Sequence, residues 1–243
     1  MDANLHFANP LVRMDEGLRV FEETDVIFHW RRPELWRDPE LADATGLVAM
    51  GGDLSPARLL EAYRRGIFPW YDENLPICWW SPDPRAIFEL DRFHVPRRLR
   101  RTCRSGPLQV TCNRAFSEVI RGCADRPGQG TLITQEMMHA YETLHGLGHA
   151  HSIEVWSGDQ LAGGIYGVAV GGLFAGESMF SRRRDASKVA LVHLIDRLRE
   201  REFQLFDIQF LNEHTARLGA VEIPRREYLE RLRAALACDP RFV

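Results

Sequence analysis

The sequence predicts an α+β fold, with a small N-terminal domain over residues 1–84 and a larger C-terminal domain over 85–243 built on a mixed β-sheet. Three observations predict it. Ser81-Pro82-Asp83-Pro84 breaks the chain, because closely spaced prolines deny helix and central strand alike. Further on, Ser152–Trp156, Gln160–Val170 and Leu173–Phe180 read as consecutive antiparallel strands. Leu191, Leu194, Ile195 and Leu198 then recur at helical spacing. With 243 residues and 45% hydrophobic content, the chain can bury a sizeable core.

Taken in order, Gly51-Gly52-Asp53-Leu54-Ser55-Pro56 forms a turn, with Ser55 as N-cap and Pro56 at the first helical position. A short helix through Leu59, Leu60 and Tyr63 ends at Arg65-Gly66, and Ile67-Phe68-Pro69-Trp70-Tyr71 then presents aromatics on irregular backbone. Trp79-Trp80 stands just before the proline break. Beyond it the pattern gives a strand near 86–90, an arginine-rich helix near 96–104, a strand near 107–112, and helices near 113–124 and 135–146. After the three antiparallel strands come a helix near 187–201, a strand at 204–210 and short helices to the end. No internal repeat or low-complexity segment interrupts this order.

Charge and cysteine usage narrow the class. The formal net charge is -3, and Lys188 is the only lysine, so almost every positive side chain is an arginine. Genomic base composition explains such a bias without function; local clusters need their own account. The cysteines at 78, 103, 112, 123 and 238 are odd in number and form no CxxC pair, which fits free thiols in a reducing cytoplasm. Asp2, Asp15 and Glu16 stand where a secretory signal would have a basic region and an apolar core. The uncharged run Leu161–Gly176 is shorter than the roughly 20 residues a membrane helix needs and is broken by six glycines. A cytoplasmic protein that does not enter membranes is expected. No GxxxxGK[ST] phosphate loop and no GxSxG elbow is present, so ATP hydrolysis and serine hydrolase chemistry lose support. His139, His145, His149 and His151 share no helical face, because Gly146 and Gly148 interrupt it, and no metal site is expected.

Four groups of residues can carry chemistry. In Leu205-Phe206-Asp207-Ile208-Gln209-Phe210 the period of two places Asp207 and Gln209 on one face and Phe206, Ile208 and Phe210 on the other. A carboxylate there either borders a cleft or is tied to backbone or arginine. Glu177 lies among Phe174, Met179 and Phe180, suited to a substrate cation or to a neighbouring arginine. Arg97, Arg98, Arg100, Arg101 and Arg104 repel at four-residue spacing unless an anion is present; a solvated helix face is the alternative. Arg182, Arg183 and Arg184 precede a helix whose free N–H groups and dipole favour anions; the alternative is Asp185 or Ser187 as an N-cap with solvated arginines beside it. Tyr63, Trp70 and Tyr71 offer either a stacking platform for an unpaired base or ordinary core.

Read together, GLVAMGGDLSPARLLEAYRRGIFPWY at 46–71, WWSPDPR at 79–85, HSIEVW at 151–156, GGLFAGESMFSRRRDASKVAL at 171–191 and the DIQ triplet at 207–209 resemble the bacterial leucyl/phenylalanyl-tRNA–protein transferases. The resemblance covers most of residues 46–225. It implies transfer of Leu or Phe, and less readily Met, from Leu-tRNA or Phe-tRNA to proteins with N-terminal Arg or Lys, creating an N-degron for proteolysis. It also implies an acetyltransferase-like C-terminal domain, no cofactor and no metal; a monomer is expected. Aminolysis of an ester needs a neutral amine, and with a reference pKa of roughly 7.7–8.0 few α-amines are neutral at pH 7. By resemblance Asp207 and Gln209 are the catalytic pair. The Gln209 carbonyl draws the amine proton or positions the amine, and Asp207 polarises or orients that amide.

The same resemblance gives Glu177 the acceptor's α-amine or basic side chain, and Tyr63, Trp70 and Tyr141 the terminal adenosine. It gives Met179, Leu191 and Leu194 the pocket for the transferred side chain. The arginines at 97, 98, 100, 101, 104 and 182–184 would hold the tRNA acceptor stem through phosphate. Two departures stand out: Leu132 replaces the family's usual Trp in Thr131-Leu132-Ile133, and Leu211-Asn212-Glu213-His214 replaces a Thr-containing segment. The rival readings are an acyl-coenzyme A dependent acetyltransferase and a non-catalytic RNA-binding module. Against the first, the chain has Ser-Arg-Arg-Arg-Asp-Ala-Ser at 181–187 and no Gln/Arg-x-x-Gly-x-Gly/Ala loop.

Overall fold

The computed structural model describes residues 38–42, 44–72, 75–105, 107–125 and 133–243. The expectations drawn from Asp2, Asp15 and Glu16 and from Thr131-Leu132 lie outside the described residues. The fold is α+β, as the sequence predicts. Strands β1 (Leu47–Met50), β2 (Phe68–Pro69) and β3 (Cys78–Trp80) form a small antiparallel sheet in the order β1-β3-β2, with helix α1 (Pro56–Arg64) between β1 and β2. Trp79 and Trp80 are fully buried, and their indole N–H groups donate to the carbonyls of Gly51 and Trp70. That is how the irregular aromatic segments are pinned.

Past the proline break the chain builds a seven-stranded mixed sheet in the order β10-β4-β9-β8-β7-β6-β5. Its strands are β4 (Arg85–Phe88), β5 (Leu108–Cys112), β6 (Ala150–Ser157), β7 (Gln160–Val170), β8 (Leu173–Ser181), β9 (Leu205–Gln209) and β10 (Ala220–Ile223). All neighbours are antiparallel except β8 and β9. The helices are α2 (Arg97–Ser105), α3 (Phe116–Ala124), α4 (Gln135–Gly146), α5 (Ala186–Glu200), α6 (Glu213–Arg217) and α7 (Arg225–Leu236). Adjacent glycines of β7 show how the two faces are covered. A Cβ on Gly163 would lie 2.7 Å from Ala186 of α5, and one on Gly164 would lie 3.0 Å from Val119 of α3. The sheet is therefore sandwiched, and only glycine lets both helices approach so closely.

Two cores result. On the α5 face, Phe88, Ile153, Val155, Met179, Phe206 and Ile208 pack with Leu191, Leu194, Ile195 and Leu198. On the other face, Ile87, Tyr166, Ala175 and Phe180 join α3, α4, α7 and the aromatic N-terminal region in one continuous cluster.

Several local expectations need correction. The helix expected from 113 begins at Phe116, because Asn113 is left-handed (φ 56°) and its side chain binds His151 and the Ser152 N–H. Ser55 makes no capping bond; Asp53 accepts its N–H instead. Asp185 is the N-cap residue of α5, in a left-handed conformation without a side-chain cap, and Ser187 lies inside the helix. Strand β10 was not foreseen: four residues between two helices carry too short a period to register. Phe210 does not share a face with Phe206 and Ile208. Gln209 is left-handed (φ 60°), which breaks the alternation and turns Phe210 toward Phe68 and Trp70.

Candidate active site

The site forms where the two parallel strands part. β8 and β9 are paired only through Leu173/Leu205, Phe174/Phe206 and Ala175/Asp207, while β8 runs on to Ser181 and β9 to Gln209. Each strand carries a bulge at this point. Gly167 and Tyr166 on β7 face Gly176 and Ser178, leaving Glu177 as the extra residue; Ala86 and Ile87 on β4 face Gln209 and Asp207, leaving Ile208 as the extra one. A bulge re-aims side chains without ending the sheet. Here the Gln209 amide N–H reaches across the parting to Glu177 Oε1 at 3.5 Å.

Glu177 is partly exposed and held by neutral donors. The Tyr63 hydroxyl lies 2.7 Å from Oε1 and the Tyr141 hydroxyl 3.1 Å from Oε2, and the two hydroxyls are 2.7 Å from each other. Burial pushes the Glu177 carboxyl up to about 7, against the lowering effect of the two phenols; nearby Asp207 adds to the rise and Arg85 opposes it. Burial, and then the Glu177 charge, push both phenols well above the usual tyrosine range. Tyr63 and Tyr141 come from α1 and α4, so the two helices meet at one carboxylate.

Asp207 is differently placed. It and Arg85 are each about 1% exposed, and the guanidinium grips both carboxylate oxygens, Nε to Oδ1 at 2.8 Å and Nη2 to Oδ2 at 2.6 Å. Tyr228 of α7 donates to Oδ2 at 3.0 Å, and the Gln209 backbone N–H donates to Oδ1 at 2.9 Å. Burial works against the Arg85 charge, yet Asp207 holds its pKa above the ordinary arginine range. The guanidinium also donates to the Gly66 carbonyl and lies over the rings of Phe68 and Tyr228. Of the two sequence alternatives for Asp207, the arginine-tied one is realised. Its contact with Gln209 is to the backbone rather than to the side-chain amide, so any influence on that amide passes through the main chain.

Models of known families match this chain in two pieces: the leucyl/phenylalanyl-tRNA protein transferases over residues 87–233, and the N-terminal domain of the same proteins over 52–83. The chain belongs to the leucyl/phenylalanyl-tRNA protein transferase family. It is similar to the leucyl/phenylalanyl-tRNA–protein transferase of Anaeromyxobacter sp. (strain Fw109-5), 55% identical over 214 residues that cover 87% of this chain and 91% of the relative. The protein of the same name from Enterobacter sp. (strain 638) is 58% identical over 192 residues, 79% of this chain and 82% of the relative. The chain is thus an aminoacyltransferase, and the resemblance read from its motifs holds.

Against the sites expected of a leucyl/phenylalanyl-tRNA protein transferase, the structure gathers Tyr63, Tyr141, Glu177, Asp207 and Gln209 at the parting of β8 and β9. Trp70 stands nearby, partly exposed and edge-on to Phe210 at 5.1 Å. Tyr63 and Tyr71 are buried, so of the three aromatics proposed as a stacking platform only Trp70 keeps an accessible ring. Met179, Leu191 and Leu194 are fully buried together in the core between the sheet and α5, behind the parting rather than among the tyrosines.

Arg97, Arg98, Arg100, Arg101 and Arg104 are all exposed on α2 around the buried Leu99, and Arg182, Arg183 and Arg184 are exposed ahead of α5. The backbone around those three is less open to anions than expected. Ala162 O accepts the N–H groups of Arg182 and Arg183, Arg183 O that of Ala186, and Ser181 Oγ that of Ser187. Any phosphate contact there falls to the side chains.

His145 stacks on Phe116 and His151 on Phe242; among the described residues no three metal-ligating side chains gather. No helix among the described residues is long and apolar enough to cross a membrane. The sequence gives neither Arg85 nor Tyr228 a role of its own. Arg85 closes the WWSPDPR motif and was legible as part of it; Tyr228 sits among Leu229, Leu232 and Ala235 as one more apolar position of a helix, with no signal of its partner.

Proposed function

We propose that this transferase moves Leu or Phe, and less readily Met, from Leu-tRNA or Phe-tRNA to the α-amine of proteins beginning with Arg or Lys, marking them for proteolysis. It works as a cytoplasmic monomer and without a cofactor. The observation that carries the reading is a partly exposed carboxylate, Glu177, whose donors are two phenols and the side-chain amide of Gln209. A carboxylate without a resident cation suits an ammonium ligand. Gln209 positions the attacking amine, and Asp207 is a positioning residue that fixes the Gln209 backbone. Orientation of this kind supplies a large share of the rate in a reaction between two bound partners.

Trp70 offers its ring to the terminal adenosine, and Tyr63 and Tyr141 complete that site. Met179, Leu191 and Leu194 act from behind the parting, where their packing sets the depth open to the transferred side chain. An apolar pocket separates side chains differing by one methylene by only about 1–3 kcal/mol, which accounts for acceptance of both Leu and Phe. The arginines of α2 and of 182–184 bind acceptor-stem phosphates, and therefore do so irrespective of tRNA sequence.

The test is incubation with radiolabelled Leu-tRNA and a peptide beginning with Arg. Label is expected in the peptide, and a peptide beginning with Asp should take up none. Retained tRNA binding with no transfer would leave only an RNA-binding module.

A further inference from the structure

We infer that Glu177 accepts the proton released by the incoming α-amine, which makes the Tyr63–Tyr141–Glu177 cluster a proton-holding ring as well as a binding site. The inference rests on the reaction proposed above and assigns its base. Two carboxylates stand at the parting of the strands, and only one has room. A carboxylate offers about four lone-pair positions. Asp207 fills its four with Arg85 Nε, Arg85 Nη2, Tyr228 and the Gln209 N–H. Glu177 receives three donors, two on Oε1 and one on Oε2, so Oε2 keeps a position for an N–H of the substrate.

The protons of the ring can be counted. Tyr63 to Oε1, Tyr141 to Oε2 and Tyr63 to Tyr141 are three oxygen–oxygen contacts of 2.7, 3.1 and 2.7 Å. Each phenol supplies one proton, so with Glu177 ionised two protons serve three contacts. A third proton, on Oε2, completes a closed cycle: Oε2–H to Tyr141, Tyr141 to Tyr63, Tyr63 to Oε1. The geometry is therefore short of one proton until Glu177 acquires it. Burial, acting against the lowering effect of the two phenols, raises the carboxyl to about 7 and brings it within about one unit of an α-amine. A side-chain amide has no comparable basicity, which leaves Gln209 to orient.

The step balances. The acceptor arrives as an ammonium and gives one proton to Glu177 Oε2. Its nitrogen lone pair then attacks the ester carbonyl carbon, the C–N bond forms, and the bond from that carbon to the ribose oxygen breaks. A second proton leaves the nitrogen for the departing ribose oxygen, and Glu177 returns its own to solvent. The products are the extended peptide, uncharged tRNA and one proton.

The experiment compares two acceptors with the full-length protein: a peptide beginning with Arg, and its analogue bearing an aminooxy group in place of the α-amine, which is already neutral at pH 7. Glu177→Gln is expected to lower kcat for the α-amine on the order of 10²–10⁴-fold, the usual contribution of a general base, and to lower kcat for the aminooxy acceptor by less than about tenfold. Glu177→Asp, which keeps a carboxylate, should hold the ratio between the two acceptors near that of the native protein. Equal losses for both acceptors, a change confined to the acceptor KM, or an Asp variant whose ratio collapses like that of the Gln variant would overturn the assignment. A native protein that transfers to neither acceptor would instead overturn the reaction itself.

Discussion

Asp207 and Glu177 face the same parting of β8 and β9, yet their surroundings differ in kind. Around Asp207 every lone pair is used, the counter-charge is built in, and both partners are buried from solvent. Around Glu177 the donors are neutral, the carboxyl is partly exposed and its proton affinity is raised. A buried ion pair with complete hydrogen bonding resists change, because removing either charge strands the other. A carboxylate held only by neutral donors is sensitive to whatever cation or proton arrives. One network fixes a backbone and the other is left open to a proton or a cation.

The largest effect should come from unbalancing the closed network. Arg85→Ala or Asp207→Ala leaves a buried unpaired charge and is expected to destabilise the fold by about 3–5 kcal/mol, measured by denaturant unfolding. Asp207→Ala should also abolish transfer while sparing tRNA binding under conditions where it remains folded. The paired change Arg85→Met with Asp207→Leu should regain much of the stability and none of the activity, since the clamp on the Gln209 N–H is gone. A paired variant with restored transfer would erase the distinction drawn above.

A phenol deletion in each network sharpens the comparison. Tyr228→Phe removes a donor from a charged acceptor and should cost about 1.5–3 kcal/mol of stability. Tyr63→Phe should cost less stability at pH 7 and act mainly on transfer, as measured by kcat against the peptide beginning with Arg. Equal stability losses in the two variants would show that the networks are alike.

The Arg101→Glu variant touches neither network. It should leave unfolding unchanged within about 0.5 kcal/mol while weakening tRNA binding, and Arg101→Ala should flatten the salt dependence of that binding by about one unit of log–log slope. Loss of tRNA binding in Asp207→Ala equal to that in Arg101→Glu would undo this division of labour.

The last expected effect is a pH slope in stability. The folded Glu177 carboxyl is raised from 4.5 to about 7, so between those values the folded state holds more proton than the unfolded one. Its contribution is fully present below the unfolded value and is lost as pH rises through about 7. Unfolding free energy should therefore drift downward from pH 5 to pH 7.5 by more in the native protein than in Glu177→Gln.

Much of this was readable along the chain. The three antiparallel strands, the helix carrying Leu191 and Leu194, and the proline break before Arg85 follow from local periodicity and from proline's missing N–H, which act over a few residues. Asp207, Gln209, Glu177 and the arginine clusters were found because charged or polar groups stood in apolar runs or crowded one helix. The alternation rule failed at Phe210, where a left-handed Gln209 re-aimed the chain, and the backbone at 182–187 is less open to an anion than its place before a helix suggests, because Ala162, Arg183 and Ser181 accept four of its N–H groups.

Sequence by itself determined the fold class, the family and the residue types at the site. Tertiary structure alone decided which carboxylate is neutralised. Arg85 and Asp207 lie 122 positions apart, and Tyr63 and Glu177 lie 114 apart. Which donors surround an acid, and so whether it is locked as an ion or left ready for a proton, depends on distances and burial that no local pattern encodes.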